Sequence, residues 1–512
     1  MIDTAALREK VLDLAIRGKL VPQDPTDEPA SVLLERIHEQ KLQMVREGKL
    51  KAKDVKDDTI IFKGDDNCYY EKYSDGSVKN IQDEIPFELP DTWSWVRLGV
   101  IFSHNTGKAL KTSNTIGKKL TYITTSNLYW NSFVVESLKE MYFTESEIEK
   151  YTIRKGDLLV CEGGDIGRAA IWTFDYDMRI QNHIHKLRAY YPIETKLYYY
   201  TFYYYKLIGK INGNGIGIQG LSSNALHNLI VPLPPIQEQT KITAAVNKCF
   251  LTADIIDENE KILQTDIEEL KFKILELAIQ GKLVPQDEND EPASVLLERI
   301  RAERKANLGK KYVESYIYKG DDNCYYEKGG NISKKLSEEM PFGLPFGWCW
   351  ITLKEIATIT SGKTPKNEQI TDFGNIPYFK VGDMNLPGNE IFMEVVQYYV
   401  NDCYTGITFP KNSFIFPKNG GALLTNKKRI LKQESLVDLN TGVLIPSPAM
   451  NNEFMFYLFS TVDFTKNYKG STIPTIDNEM IGNIVFALPP IEEQSRIVQK
   501  IKSIYSILKG GD

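Results

Sequence analysis

From Ile242 the apolar residues recur at Val246, Cys249, Ala253, Ile256, Leu263, Ile267, Leu270, Ile274 and Leu277, spaced 4,3,4,3 with Glu260 as the one polar break. That is the a/d seam of a heptad pattern, and it predicts one long helix with a partner along one face. Pro234-Pro235 precede it; Gly281 and then Pro285 close it. The predicted helix has about 45 residues, or roughly 65 Å at ~1.5 Å per residue. The chain ends carry the same register. Ile497, Ile501, Ile504 and Leu508 match Ile242, Val246, Cys249 and Ala253, whereas Leu7, Val11 and Leu14 match Leu270, Ile274 and Leu277. The C-terminal tail thus supplies the first half of a second seam and the N-terminus its second half. The pattern predicts a circularly organised, antiparallel two-helix spacer.

The same landmarks occur twice. LAIRGKLVPQD at 14–24 matches LAIQGKLVPQD at 277–287, and DEPASVLLERI follows at 27–37 and 290–300. KGDDNCYYEK stands at 63–72 and 319–328, PFELPDTWSWVRL at 86–98 against PFGLPFGWCWITL at 341–353, and LPPIQEQTKI at 233–242 against LPPIEEQSRI at 488–497. A unit of about 255 residues is written twice, too long a period for a solenoid. Between the landmarks, 99–231 and 354–486 diverge. Tyr122-Ile-Thr-Thr-Ser-Asn127 lines up with Tyr378-Phe-Lys-Val-Gly-Asp383, and Gly163-Gly164 with Gly420-Gly421. One scaffold carries two different surfaces. The expected division is 1–50 N-terminal helical region, 51–85 linker, 86–235 first variable domain, 236–300 central helical region, 301–340 linker, 341–490 second variable domain and 491–512 distal helix.

The chain has 512 residues, 42% apolar and 25% charged, as in soluble globular proteins. No run approaches ~18 consecutive apolar residues, which excludes a spanning helix. The polar N-terminus and the six scattered cysteines (68, 161, 249, 324, 349, 403) point to a reducing cytoplasm and away from a disulfide framework or structural zinc. The net charge is −6, but the acidity sits mainly in the repeated scaffold. Residues 91–232 are net +4 and 346–490 net −1, so phosphate contacts are expected to be few and shared with a partner. Two spaced surfaces on a pseudo-twofold body suit a double helix with two half-sites.

Candidate DNA contacts follow from the side chains able to pair with base edges and phosphates. In the first domain they are Lys108, Lys111, Lys118, Lys119, Thr125, Asn127, Arg179, Gln181, Asn182 and His183. In the second they are Lys363, Lys366, Lys380, Lys418, Lys427, Lys428 and Arg429. Catalytic motifs are missing. Gly215–Gly220 spells GxGxxG but follows a Tyr-rich stretch and lacks a counterpart in the second copy, so a tight loop is expected. Neither a GxxxxGK[ST] loop, HExxH nor GxSxG is present. His183 and His185, on one strand, would face one side and are a minor metal candidate. The carboxylates of Lys-Gly-Asp-Asp-Asn are another, against the more favoured reading of a solvent-facing turn.

These features together resemble the specificity (S) subunit of type I restriction–modification systems. The resemblance rests on the duplicated LAI[RQ]GKLVPQD…DEPASVLLERI, PFxLPxxWxW and LPPI[QE]EQ[TS][KR]I, on Gly362-Lys-Thr-Pro…Ile376-Pro-Tyr-Phe-Lys-Val-Gly-Asp-Met-Asn385, on Lys155-Gly-Asp-Leu-Leu and on Gln181-Asn-His-Ile-His-Lys. It implies an α+β chain: two target recognition domains, each mixed α/β with a twisted β-sheet, separated by conserved helical regions. It further implies a non-catalytic protein that reads a bipartite, asymmetric DNA site. Its expected partners are double-stranded DNA, two methyltransferase (M) subunits and, through M, restriction (R) subunits. S-adenosylmethionine, ATP and Mg²⁺ are expected in those partners and no cofactor in this chain. The alternatives are a specificity protein of another restriction class and a two-domain protein-binding scaffold.

Overall fold

The computed structural model describes residues 2–110, 115–211, 221–337, 340–401, 404–466, 468–470, 473–508 and 510. The chain is α+β and divides into two compact units, Met1–Ile262 and Leu263–Asp512.

In the first unit, the segment expected as a linker at 51–85 is folded. It forms a three-stranded antiparallel meander of Ile60–Lys63, Tyr69–Lys72 and Val78–Asn80. The variable region follows, closed by a two-stranded ladder of Ser94–Arg97 with Ile230–Leu233. Inside it, one antiparallel sheet runs in the order Ala169–Ile171, Leu158–Cys161, Ile184–Ala189, Phe102–Thr106. A second runs Thr152–Ile153, Met178–Ile180, Lys118–Ile123, Lys139–Phe143, with its middle pair parallel. Leu158–Cys161 is apolar throughout because all four residues are buried, as a strand covered on both faces must be.

The second unit repeats the core of this connectivity and differs at the sheet edges. Its meander is Ser315–Lys319, Tyr325–Gly329 and Ile332–Ser337, again where a linker was expected. The closing ladder is Cys349–Thr352 with Val485–Leu488. Ala357–Ser361, Thr441–Pro446, Phe414–Pro417 and Arg429–Leu431 match the first sheet, and Phe392–Met393 is added at its edge. Ile370–Thr371, Tyr398–Val400, Ile376–Phe379 and Leu436–Val437 form the other sheet.

The duplicated motifs converge on one buried node per unit. Trp93 Nε1 donates to Glu238 Oε2 at 2.8 Å, and Gln23 Nε2 to Glu238 Oε1 at 2.6 Å. Trp348 Nε1 donates to Glu493 Oε2 at 2.8 Å, and Gln286 Nε2 to Glu493 Oε1 at 3.1 Å. Burial raises both glutamates above the usual carboxylate range. Gly18 and Gly281 end their helices at φ +68°, and a Cβ on either would stand 2.5 or 2.4 Å from Pro90 or Pro345. Positive φ and close approach together require glycine there. Three motifs distant in sequence are therefore repeated because each contributes one part of the same joint.

The long helix runs Ile236–Ile279, 44 residues, as its seam predicts. Within the first unit, the helix Thr4–Ile16 packs antiparallel on it: Arg8 reaches Asp254 at 2.7 Å and Asp257 at 2.8 Å, and Ile2 N donates to Glu260 Oε1 at 3.0 Å. Within the second, the helix Ile491–Leu508 buries Ile497, Val498 and Ile501 in one core with Ile274, Leu275 and Ala278. The seam differs from the expectation in its middle. Ile242, Val246, Ala253 and Ile274 are buried, but Leu263 and Leu270 are 59% and 45% exposed. The terminal helices, 13 and 18 residues long, are shorter together than the 44-residue helix they flank. Among the described residues, no helix is long and apolar enough to cross a membrane.

Candidate nucleic-acid interface

A glycine–lysine joint connects the two sheets of each variable domain. Gly107 N donates to Ile184 O at 3.1 Å, Lys108 N to Ile180 O at 2.9 Å, and Asn182 N to Lys108 O at 2.9 Å. A Cβ on Gly107 would lie 2.2 Å from Gln181 O, so only glycine fits. In the second domain Gly362 N donates to Thr441 O and Lys363 N to Val437 O, both at 2.9 Å, and a Cβ on Gly362 would lie 2.1 Å from Asp438 O. The joint gathers loops from both sheets at one end of each domain.

In the first domain it brings together Thr125, Gln181, Asn182 and His183. Gln181 N donates to Ile123 O at 3.0 Å, and the Arg168 guanidinium donates to Thr125 O at 2.7 Å. Asn127 is turned inward as a cap, accepting from Thr124 N at 2.9 Å and donating to Val134 O at 3.1 Å. His183 sits at φ +73° with its exposed ring 3.4 Å from the Glu162 carboxylate. Arg179 is half-buried on Thr121 and Asp177 carbonyls, and burial lowers its pKa. Lys108 is buried: its ammonium donates to Tyr142 O at 2.7 Å and Glu147 Oε2 at 2.6 Å. Lys118 and Lys119 are exposed on a strand away from the joint, Lys119 paired with Glu140 at 3.1 Å. Lys111 and Gly215–Gly220 lie outside the described residues.

The two-histidine metal reading is not supported by the geometry. His183 precedes the strand and meets Glu162, whereas His185 is buried inside it, its Nδ1 2.8 Å from His104 Nε2 and its Nε2 2.6 Å from Leu221 O. The Lys-Gly-Asp-Asp-Asn copies are hairpin turns. Asp66 accepts from Cys68 N at 3.1 Å and Tyr70 OH at 2.8 Å, and Asp322 accepts from Cys324 N at 3.1 Å and Tyr326 OH at 2.7 Å.

In the second domain Lys363 and Lys366 are exposed beside the joint. Lys380 stacks over the Tyr398 ring at 3.9 Å and donates its backbone N–H to Asp383 at 2.7 Å. Lys418 is half-buried, its ammonium donating to Ser361 Oγ at 2.6 Å and Asn478 Oδ1 at 3.0 Å. Lys427 is half-buried and bonds Asn385. Arg429 donates to Met384 O at 3.1 Å and Lys428 O at 2.8 Å, and burial lowers its pKa. Lys428 is buried against Phe464, donates to Val462 O at 2.6 Å, and is pushed down to about 7 by burial. The charges of Lys108 and Lys428 are thus held inside the fold. Sequence reasoning passed over Glu162, Arg168, Asn440 and Asn478. Of these only Glu162 carried a signal, at the end of an apolar strand just before a glycine pair.

A family model described as the type I restriction modification DNA specificity domain matches residues 90–269 and 345–511. The type I restriction enzyme EcoEI specificity subunit of Escherichia coli is 26% identical over 98% of this chain and 89% of its own length. The EcoAI specificity subunit of the same species is 26% identical over 97% and 88%. A chain solved in work on complex assembly and conformational transition of the type I R-M system shares the fold. It has a TM-score of 0.53 at 18% identity, covering 83% of this chain and 93% of the other. With most of its length inside two matches to one model, the chain belongs to the type I restriction modification DNA specificity family.

Proposed function

We propose that the chain is the DNA-reading specificity subunit of a type I restriction–modification complex, with one variable domain for each half of a bipartite, asymmetric site. The observation that carries this reading is one four-strand order built twice, Ala169–Ile171, Leu158–Cys161, Ile184–Ala189, Phe102–Thr106 and Arg429–Leu431, Phe414–Pro417, Thr441–Pro446, Ala357–Ser361, with loops of different sequence after matching strands. The readers are 86–235 and 341–490. The helical regions 1–50, 236–300 and 491–512 form an antiparallel, pseudo-twofold spacer that closes on itself through the chain ends. Support for the spacer is the docking of Thr4–Ile16 and of Ile491–Leu508 on opposite halves of Ile236–Ile279, each within its own unit. A surface present twice offers two equivalent docking sites, one for each of two M subunits; R subunits join through M. The chain is non-catalytic and acts in the cytoplasm. S-adenosylmethionine, ATP and Mg²⁺ serve the partner subunits.

The test is selection from a random duplex pool by the purified chain, with and without its cognate M subunits. The expected result is enrichment of one bipartite sequence, strengthened by M. Recovery of unrelated duplexes by the M-containing complex would overturn the reading.

A further inference from the structure

The two domains place residues of opposite charge at one backbone position. Glu162 and Lys418 each directly follow the buried central strand, Leu158–Cys161 or Phe414–Pro417. Glu162 N donates to His183 O at 2.9 Å, and Glu162 O accepts from Leu221 N at 3.0 Å. Lys418 N donates to Asn440 O at 2.9 Å, and Lys418 O accepts from Ile476 N at 3.1 Å. The backbone bonds are the same and the side chains invert. In one domain a partly exposed carboxylate stands beside the His183 ring. In the other an ammonium, fixed by Ser361 and Asn478, keeps one of its three N–H groups free of those two partners.

The loop beside each residue adds a second observation. The left-handed residues that follow are Gly164 (φ +75°), in a turn, and Gly420 (φ +66°), the first residue of the short helix Gly420–Leu423, which shifts the pairing of the glycine pairs by one residue from that read in the sequence. The other glycine of each pair, Gly163 or Gly421, has no positive φ, and a Cβ on it would meet nothing within 4 Å. The positive φ accounts for Gly164 and Gly420. Among the described residues, no contact accounts for Gly163, and none outside its own short helix accounts for Gly421. Glycine with open space outside suits a ligand that comes up against the backbone.

We infer that Glu162 and Lys418 are equivalent base-reading residues of opposite hydrogen-bond polarity. In the major groove a lysine donates to guanine O6 and N7, whereas a glutamate accepts from the cytosine N4 amino group. The first half-site therefore presents a cytosine to Glu162, and the second a guanine to Lys418. This inference rests on the DNA-reading function proposed above.

The experiment is methylome sequencing of hosts that express the full chain with its M subunits, as wild type, Glu162→Ala, Glu162→Gln, Lys418→Ala and Lys418→Arg. The alanine variants are expected to lose about 10- to 100-fold discrimination at one base each. That base is a cytosine of the first half-site for Glu162→Ala and a guanine of the second for Lys418→Ala, with the other half unchanged. Lys418→Arg retains the guanine, which separates loss of a donor from loss of the fold, and Glu162→Gln, still an acceptor, relaxes less than Glu162→Ala. Unrelaxed sequences from both alanine variants overturn the inference, as does relaxation in the opposite half. A wild-type complex that methylates without sequence preference instead overturns the parent reading, before any variant is compared.

Discussion

The two variable domains agree where the chain touches itself and differ where their loops face outward. Trp93–Glu238–Gln23 and Trp348–Glu493–Gln286 are the same joint, bond for bond. One step outward, a buried glutamate of the meander is kept while its partner changes. Glu71 holds Arg97 through two bonds at 3.0 and 2.7 Å, whereas Glu327 meets Lys354 at 2.6 Å. At the loop ends even the sign of the charge differs, with Glu162 in one domain at the backbone position that Lys418 takes in the other. Constraint falls off with distance from the shared core: close packing fixes the joints, an ion pair needs only a cation within reach, and a loop end answers to its ligand alone.

The largest effects are expected at the joints, and they should be equal. Trp93→Ala and Trp348→Ala each remove a buried indole and take from a buried carboxylate one of its two side-chain donors, costing about 3–5 kcal/mol in their own unit. Hydrogen exchange resolved by unit measures both. A gap between the two beyond about 1 kcal/mol would break the equivalence of the joints.

An effect of similar size should appear on one side only. Lys41 is fully buried and donates to Asp58 at 2.5 and 2.7 Å beneath Tyr190. The matching position is Arg304, which instead donates to the Ala357 carbonyl at 3.2 Å. Asp58→Ala strands a buried ammonium and is expected to cost the first unit about 3–5 kcal/mol, with the second unit unmoved in the same exchange measurement.

Acid should separate the units as well, since all five histidines lie in the first. Burial, then the neighbouring His185 and His227, depress His104 to about 4. As pH falls through about 6.5 the unfolded chain takes up a proton that the folded domain refuses until about 4. Stability present above the upper value is lost across that window. The loss in the first unit is expected to be on the order of 1–2 kcal/mol after screening at this half-buried site. Equal acid sensitivity of both units in exchange profiles at pH 7 and 5 would contradict it.

The smallest effects separate surface lysines from buried ones. Lys363→Ala and Lys366→Ala should each lower the salt-dependence slope of DNA binding by about 1 and leave the melting temperature unchanged. Lys108→Ala and Lys428→Ala should lower the melting temperature and leave that slope alone. Titrations of the M-containing complex across salt concentrations read both.

Much of this was legible in the sequence. The heptad spacing predicted the long helix, because one face of a helix must stay apolar to pack, and Pro234-Pro235 marked its start. The duplicated motifs marked the repeated scaffold, but not the joints, whose partners stand 145 to 215 residues apart along the chain. The meanders at 60–80 and 315–337 were missed because short, half-exposed strands carry little periodicity. Lys108 and Lys428 looked like phosphate contacts because a lysine in a loop reads as solvated. Glu147 and the Val462 carbonyl, which hold them inside, are 39 and 34 residues away along the chain. Glu162 was overlooked because a carboxylate is an unexpected contact for a polyanion. Its equivalence to Lys418 emerges only when strands are matched by their hydrogen bonds.

The central claim is one scaffold carrying two independent readers. Its most direct test is to exchange residues 99–231 for the corresponding segment of a relative with a different target and to map the methylated sites. The account predicts that one half of the recognised sequence changes and the other half stays as it was. A change in both halves, or full activity on the original sequence, would contradict it.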